Sequence, residues 1–307
     1  IGEYGSFGLI FYLQNLGPEG AFAAAQTIFD FFKDRTESPL SIAAASYPCL
    51  DFSRSEVLTA CRKALIHAQM LSHPRIACFD SQTLTISADR FYAHNDLPGA
   101  CDEYSLALIL DPNNTTARNS LGICRARLGQ LDQAAAAFDR VLQFEPDNSL
   151  AMYNYGYVCI KAGDIEKGTA CFQQCLQHNP GHVFSLLRLG LLAEDTGHLE
   201  TAKAYYRQAL EAPEGKKYAY RLLGKLEITA GERESGRSKL QEALLHNPRD
   251  AESMHILARL SLESGQDLDI AEALARKSLA LRPERLDFLE VLDQIHFRRR
   301  GDKRGKG

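Results

Sequence analysis

Residues 115–148 read TTARNSLGICRARLGQLDQAAAAFDRVLQFEPDN, and this stretch decides the fold. Leu121 and Leu128 lie on a first apolar segment. Ala134, Phe138, Val141, Leu142 and Phe144 follow on a second, spaced by three and four as one helical face requires. Between them stands Gly129-Gln130-Leu131-Asp132. A glycine there can take φ > 0 and end the first helix. Pro146 stops the second, because its ring cannot continue a helix. Gly122 and Ala134 are small where the two helices cross, and a bulkier side chain at either would cost about 1–3 kcal/mol.

Working outward, the same punctuation repeats. Gly129, Gly163, Gly197, Gly231 and Gly265 stand 34 residues apart. Gly122, Gly156, Gly190 and Gly224 keep the same step, with Ala88 and Ala258 at the ends of that series. Pro112, Pro146, Pro180, Pro213, Pro248 and Pro283 close six units, and Asn95 takes the loop position in the first. A period of 34 is that of a helix–turn–helix solenoid unit, whose function lies on a surface. The units are 81–114, 115–148, 149–182, 183–216, 217–250 and 251–285, with the array taken as 81–283. One more amphipathic helix follows at 284–297, with Phe288, Leu289, Val291, Leu292 and Ile295 on its apolar face, and it is expected to cap the array. Residues 298–307 carry six cations against Asp302 and are expected to be a disordered basic tail.

This pattern resembles the tetratricopeptide repeat. That family has a small residue at its eighth position, here Ala88, Gly122, Gly156, Gly190, Gly224 and Ala258. Its twentieth position is Ala100, Ala134, Gly168, Ala202, Gly236 and Ala271, the last after a one-residue insertion. Its twenty-fourth is Tyr104, Phe138, Phe172, Tyr206, Leu240 and Ala275. The resemblance implies a mainly α fold, an α–α superhelix that binds extended peptides along the face lined by its first helices. Its groove positions fall here on Tyr153, Asn154, Tyr157, Phe184, Leu187, Arg188, Leu191, Arg221, Lys225, His255 and Arg259. Aromatics beside cations suit a peptide with acidic groups or a free carboxylate. Asn154 matches one position of the family's two-carboxylate clamp, but Ile123 stands where a second Asn would be.

The first 80 residues are built differently. Gly8–Gln14, Leu40–Tyr47 and Arg75–Asp80 read as strands. Helices are expected over Pro18–Lys33 and Arg54–Met70, the second opened by a capping box at Ser53-Arg54-Ser55-Glu56. Strand, helix, strand, helix, strand is an α/β layer. The segment resembles the carboxy-terminal half of the GGDEF (diguanylate cyclase) domain. Ile1–Leu9 occupies the signature hairpin, Ser41–Pro48 the following strand, Cys61–Gln69 the helix and Arg75–Asp80 the last strand. In that family the hairpin Asp and Glu hold metal, and here Phe7 and Gly8 stand in their places. Arg62 and Gln69 replace the helix Asp and Lys. Loss of the metal carboxylates implies a catalytically dead copy. The upstream half of such a domain is absent from the sequence, which suggests a longer parent protein.

Composition narrows the remaining classes. The net charge of −4 gives no general case for nucleic acid, leaving only the basic stretch 298–306. No apolar run reaches the length of a membrane span. The eight cysteines have no CxxC spacing and are read as reduced, buried thiols of a cytoplasmic protein. Cys171, Cys175, His178 and His182 have metal-like spacing, but Cys175 is a core position and His182 lies past Pro180, so no metal is assigned. No Gly-x-Gly-x-x-Gly, phosphate loop or nucleophile elbow is present, and no cofactor is expected. The reading is a non-enzymatic scaffold or adaptor for a protein or peptide partner, in a bacterial signalling setting. The alternative is a nucleotide-signalling protein in which the GGDEF-like segment binds GTP or cyclic di-GMP and regulates the array.

Overall fold

The computed structural model describes residues 2–3, 9–11, 13–14, 16–36, 39–265 and 267–304. The chain divides into two compact units, Ile1–Gly163 and Asp164–Gly307.

In the first unit a hairpin opens the chain. Strand β1 (Gly2–Glu3) pairs antiparallel with β2 (Leu9–Ile10), Gly2 opposite Ile10. The strand expected over Gly8–Gln14 is therefore confined to these two residues among those described. Phe7 and Gly8 lie outside the described residues. Helix α1 (Pro18–Phe32), β3 (Ile42–Ala44), α2 (Glu56–Met70) and β4 (Ile76–Cys78) follow in the expected order, with strands shorter than expected. β3 and β4 are parallel, in register Ile42 to Ile76 and Ala44 to Cys78. Side chains alternate across a strand. Leu40, Ile42 and Ile76 pack with Ala25 and Phe29 of α1, while Ala43 and Ala45 pack in the cluster that holds Ala60 and Ala64 of α2. The capping box forms by half. The Ser53 N–H donates to Glu56 Oε2 at 2.7 Å, but the Ser53 hydroxyl also turns to that carboxylate rather than to the helix backbone.

The change of pattern at residue 81 is not a break in packing. Asp80, two residues past the end of β4, caps α3 (Ser81–Ala93) by accepting from the Thr83 N–H at 2.7 Å. His67 of α2 meets the Thr83 hydroxyl at 3.0 Å. One cluster joins Ala60, Ala64 and Phe79 to Leu84, Ala88, Ala100 and Tyr104. Helix pairs then succeed one another: α4 (Leu97–Leu110), α5 (Thr115–Arg127), α6 (Leu131–Phe144) and α7 (Ser149–Lys161).

The second unit holds α8 (Ile165–His178), α9 (Val183–Asp195), α10 (Leu199–Ala209), α11 (Pro213–Thr229), α12 (Arg233–His246), α13 (Ala251–Ser264), α14 (Leu268–Leu281) and α15 (Leu286–Arg304). Loop glycines behave as the spacing requires: Gly197 and Gly231 have φ of 79° and 87°. A Cβ on Gly190 would stand 2.3 Å from the Tyr206 ring, so only glycine lets α9 and α10 approach this closely.

Two expectations are corrected. Pro213 does not close a second helix. α10 already ends at Ala209, and Pro213 is the first residue of α11. Elsewhere the helix ends two residues before its proline, as at His246 before Pro248. Pro213 instead sits at a helix start, where its missing N–H costs nothing and its fixed φ already suits the helix. The connection is tight enough that a Cβ on Gly215 would stand 1.8 Å from the Ala209 carbonyl oxygen. The other correction is the tail. α15 runs to Arg304, past the expected end at 297. Arg298 donates to the Leu262 carbonyl at the end of α13, and Arg299 pairs with Asp269 and Glu272 of α14. These anchors hold the helix where composition alone suggests a frayed end.

Candidate peptide-binding face

The first helices of successive pairs touch one another in each unit: α3, α5 and α7 in the first, and α9, α11, α13 and α15 in the second. All predicted groove residues lie on these helices, and they are divided between the units. Tyr153, Asn154 and Tyr157 belong to α7, and the others to the second unit.

On α7 all three are half-buried. The Asn154 amide donates to Asn119 Oδ1 of α5 at 3.2 Å, so part of its hydrogen-bonding capacity is used within the chain. The Lys161 ammonium lies 5.2 Å from the Tyr157 ring centre, a cation–π distance. Ile123 packs with Ala134, Phe138 and Val158, an apolar role that an Asn could not fill.

In the second unit the predicted residues separate into core and surface. Leu187 is buried among Leu186, Tyr206 and Leu223, so it holds α9, α10 and α11 together rather than facing a ligand. His255 is also buried. Its ring stacks on Phe288 of α15 at 4.3 Å, its Nε2 lies 3.9 Å from Asp287, and its Nδ1 has no hydrogen-bond partner among the described residues. Burial pushes this imidazole below its ordinary pKa, opposed in part by Asp287. His255 thus belongs to the seam between α13 and α15. Leu191 and Arg188 are half-buried. Phe184 is 45% exposed and lies 5.9 Å from the Tyr218 ring of α11.

The cations are set against the chain's own carboxylates. Arg221 Nε lies 3.2 Å from Asp250, the residue that caps α13. Lys225 lies 4.0 Å from Glu194 and Arg259 3.7 Å from Glu263. Lys225 is nevertheless 58% exposed and Arg259 48%, so both ammonium and guanidinium remain within reach of solvent. At such exposure each pair is worth about 0–1 kcal/mol and exchanges readily for another carboxylate.

The remaining candidates have structural places. Cys171 and Cys175 are buried on α8, and His182 caps α9, its Nδ1 accepting from the Ser185 N–H at 3.2 Å. Cys124 is buried beside Cys101, and burial pushes its thiol up to about 12. Capping is what the sequence reading missed most often. Asn114, Asn148, His182 and Asp250 each stand two residues after a proline and accept from a backbone N–H of the next helix. The signal was present, because a polar acceptor just before an apolar-periodic segment marks a helix start.

The family models that match fall within the array. Residues 87–149 match the family model described as tetratricopeptide repeat. Residues 127–221 match that of the cilia and flagella-associated protein 70 middle TPR-like domain. A search of curated proteins gives no significant sequence match. Among solved structures, the APC/C hetero-tetramer Cut9–Hcn1 superposes with a TM-score of 0.62 at 18% identity, over 76% of this chain and 46% of that one. The chain thus spans about half the length of that relative. PilF of Pseudomonas aeruginosa superposes with a TM-score of 0.58 at 18% identity, over 68% of this chain and 95% of that one. PilW, a type IV pilus biogenesis factor, gives 0.58 at 20% identity, over 69% and 98%. Identities this low speak to fold. Together with the observed helix pairs, these matches support a tetratricopeptide repeat array in the helical part of the chain.

Proposed function

We propose that this protein is a non-enzymatic scaffold that binds a peptide or a partner surface on the face lined by its first helices. Tetratricopeptide repeats generally mediate protein–protein interaction. The observation that carries the reading is the division of labour on α9, α11 and α13. Leu187 and His255 turn inward and are consumed by packing, whereas Phe184, Lys225 and Arg259 stay exposed. A rigid, pre-formed surface with an aromatic anchor and exchangeable ion pairs favours a peptide bearing acidic groups. Its carboxylates would displace Glu194 and Glu263 from their partners.

The test uses the full chain as bait against an acidic-peptide library. Lys225→Glu combined with Arg259→Glu is expected to abolish capture while leaving the far-UV circular dichroism unchanged. Undiminished capture by a folded double variant would sink the reading. Arg221 is the wrong choice for charge reversal, since a glutamate there would face Asp250 at close range.

A second reading concerns residues 1–80. We infer that they derive from a GGDEF half-domain, on the order hairpin, α1, β3, α2, β4 and the parallel pairing of β3 with β4. That origin favours a bacterial, cytoplasmic signalling setting and a role in regulating the array. Calorimetry with GTP and with cyclic di-GMP tests it, and absence of heat with both would reject nucleotide binding. Among the described residues no helix is long and apolar enough to cross a membrane.

A further inference from the structure

The second unit carries a cleft of about 440 Å³ that shares Tyr218, Arg221 and Asp250 with the residues already described and includes neither Lys225 nor Arg259. Lys217, Tyr218 and Arg221 of α11, Arg249 and Asp250 of the turn before α13, and Arg282 at the end of α14 line it. Three separate segments therefore deliver four cations to one concavity. Residues 217 and 221 are one helical turn apart, a spacing at which like charges oppose each other.

Their neutralisation is incomplete. Asp250 answers Arg221 at 3.2 Å. Arg282 reaches Glu284 only at 3.8 Å, with both side chains mostly in solvent. Among the described residues no carboxylate lies within 4.0 Å of the Lys217 ammonium or the Arg249 guanidinium. Glu252, the other acid on the cleft wall, is taken by Arg285. Gathering like charges in one concavity costs folding some repulsion, which a compensating negative charge from outside would relieve. The wall also offers an aromatic surface: the Tyr218 ring lies 5.5 Å from the Lys217 ammonium and 5.9 Å from the Phe184 ring.

We propose that this cleft is a second binding site, for a doubly charged oxyanion carried on a partner peptide. Guanidinium groups present paired N–H donors that match phosphate or carboxylate oxygens. The volume lies in the range of ligand pockets, and it exceeds what a lone anion fills, leaving room for the bearing side chain and a flanking residue against Tyr218. A phosphoryl group and two adjacent carboxylates share this chemistry. The site is distinct from the exposed Lys225 and Arg259, and it stands or falls independently of them.

Fluorescence anisotropy of the full chain tests it with labelled glycine–serine decapeptides carrying one phosphoserine, two adjacent glutamates, or serine alone. The phosphoserine peptide is expected to bind at least tenfold more tightly than the serine peptide. Lys217→Ala, Arg249→Ala and Arg282→Ala together are expected to erase that gain, and the single Arg249→Ala and Arg282→Ala variants to reduce it should the triple variant fail to fold. Lys225→Ala with Arg259→Ala should leave it intact. Glutamate peptide matching phosphoserine supports the site with paired carboxylates as its anion. Equal binding of phosphoserine and serine peptides, an unaltered gain in the triple variant, or loss of the gain in the Lys225/Arg259 variant would each overturn the proposal. Displacement by inorganic phosphate at the peptide's own concentration would overturn the peptide component.

Discussion

The edge of the Tyr206 ring stands 2.3 Å from where a Cβ on Gly190 would be placed, and the Tyr206 hydroxyl donates to Glu194 one turn further along the same helix at 3.1 Å. The ring is fully buried and cannot step aside without giving up that bond. The small residue on α9 and the aromatic on α10 are thus one device: the first admits the second, and the second's polar tip is satisfied by the first helix.

Gly190→Ala is therefore expected to destabilise the second unit by about 1–3 kcal/mol, the usual cost of forcing an extra methyl into a packed crossing. Urea unfolding followed by far-UV circular dichroism measures this, since the chain has no tryptophan. Gly197→Ala is the instructive comparison. Nothing stands near its missing Cβ, but its φ is 79°, so the expected cost is the backbone strain of about 1–2 kcal/mol. Replacing Tyr206 with Leu in the Gly190→Ala background should recover part of the loss at position 190 and none of that at 197.

The turn between α10 and α11 gives a sharper contrast. Gly215→Ala places a methyl 1.8 Å from the Ala209 carbonyl oxygen, which belongs to backbone and cannot rotate away. A loss of about 3 kcal/mol is expected, at the upper end of overpacking costs. Pro213→Ala, two residues earlier, should cost under about 1 kcal/mol, because proline at a helix start acts mainly by restricting the unfolded chain. Equal thermal shifts for the two variants would contradict this account of the turn.

Burial of His255 between α13 and α15 makes this seam sensitive to acid. Its imidazole is held below the ordinary histidine pKa of about 6.5, first by burial, and the facing Arg259 and Arg285 add to this while Asp287 and Glu252 oppose it. The unfolded chain then binds more protons than the folded one as pH falls below about 6.5, so stability rises with pH through this window and declines toward acid. His182, also lowered by burial, adds to the same slope. His255→Gln is expected to flatten the dependence of the unfolding midpoint between pH 7 and 5 without abolishing it. An unchanged slope would remove His255 from the cause.

The repeat was legible because its marks are local. Gly129 and Gly163 lie at φ of 78° and 91° for reasons internal to each turn, and a proline halts a helix wherever it falls. Pro213 misled for the same reason: spaced 33 residues from Pro180 and 35 from Pro248, it is one residue out of step, and that residue converts a stop into a start. The end of α15 was illegible because Arg298 and Arg299 look solvated in sequence and are anchored only by α13 and α14. Among the candidate site residues, position within the repeat placed each on a first helix. It could not distinguish Leu187, which is core, from Phe184, which is exposed, although three residues separate them.

What the sequence by itself determined, then, is the order and pairing of helices, since periodicity, loop glycines and prolines act on the residues beside them. Tertiary structure alone decided that Arg221 meets Asp250 and Lys225 meets Glu194, that α2 and α3 share one core across the change of pattern at residue 81, and that Lys217, Arg249 and Arg282 gather around one cleft. Those facts depend on how separate elements pack against one another, and a local code carries no record of that.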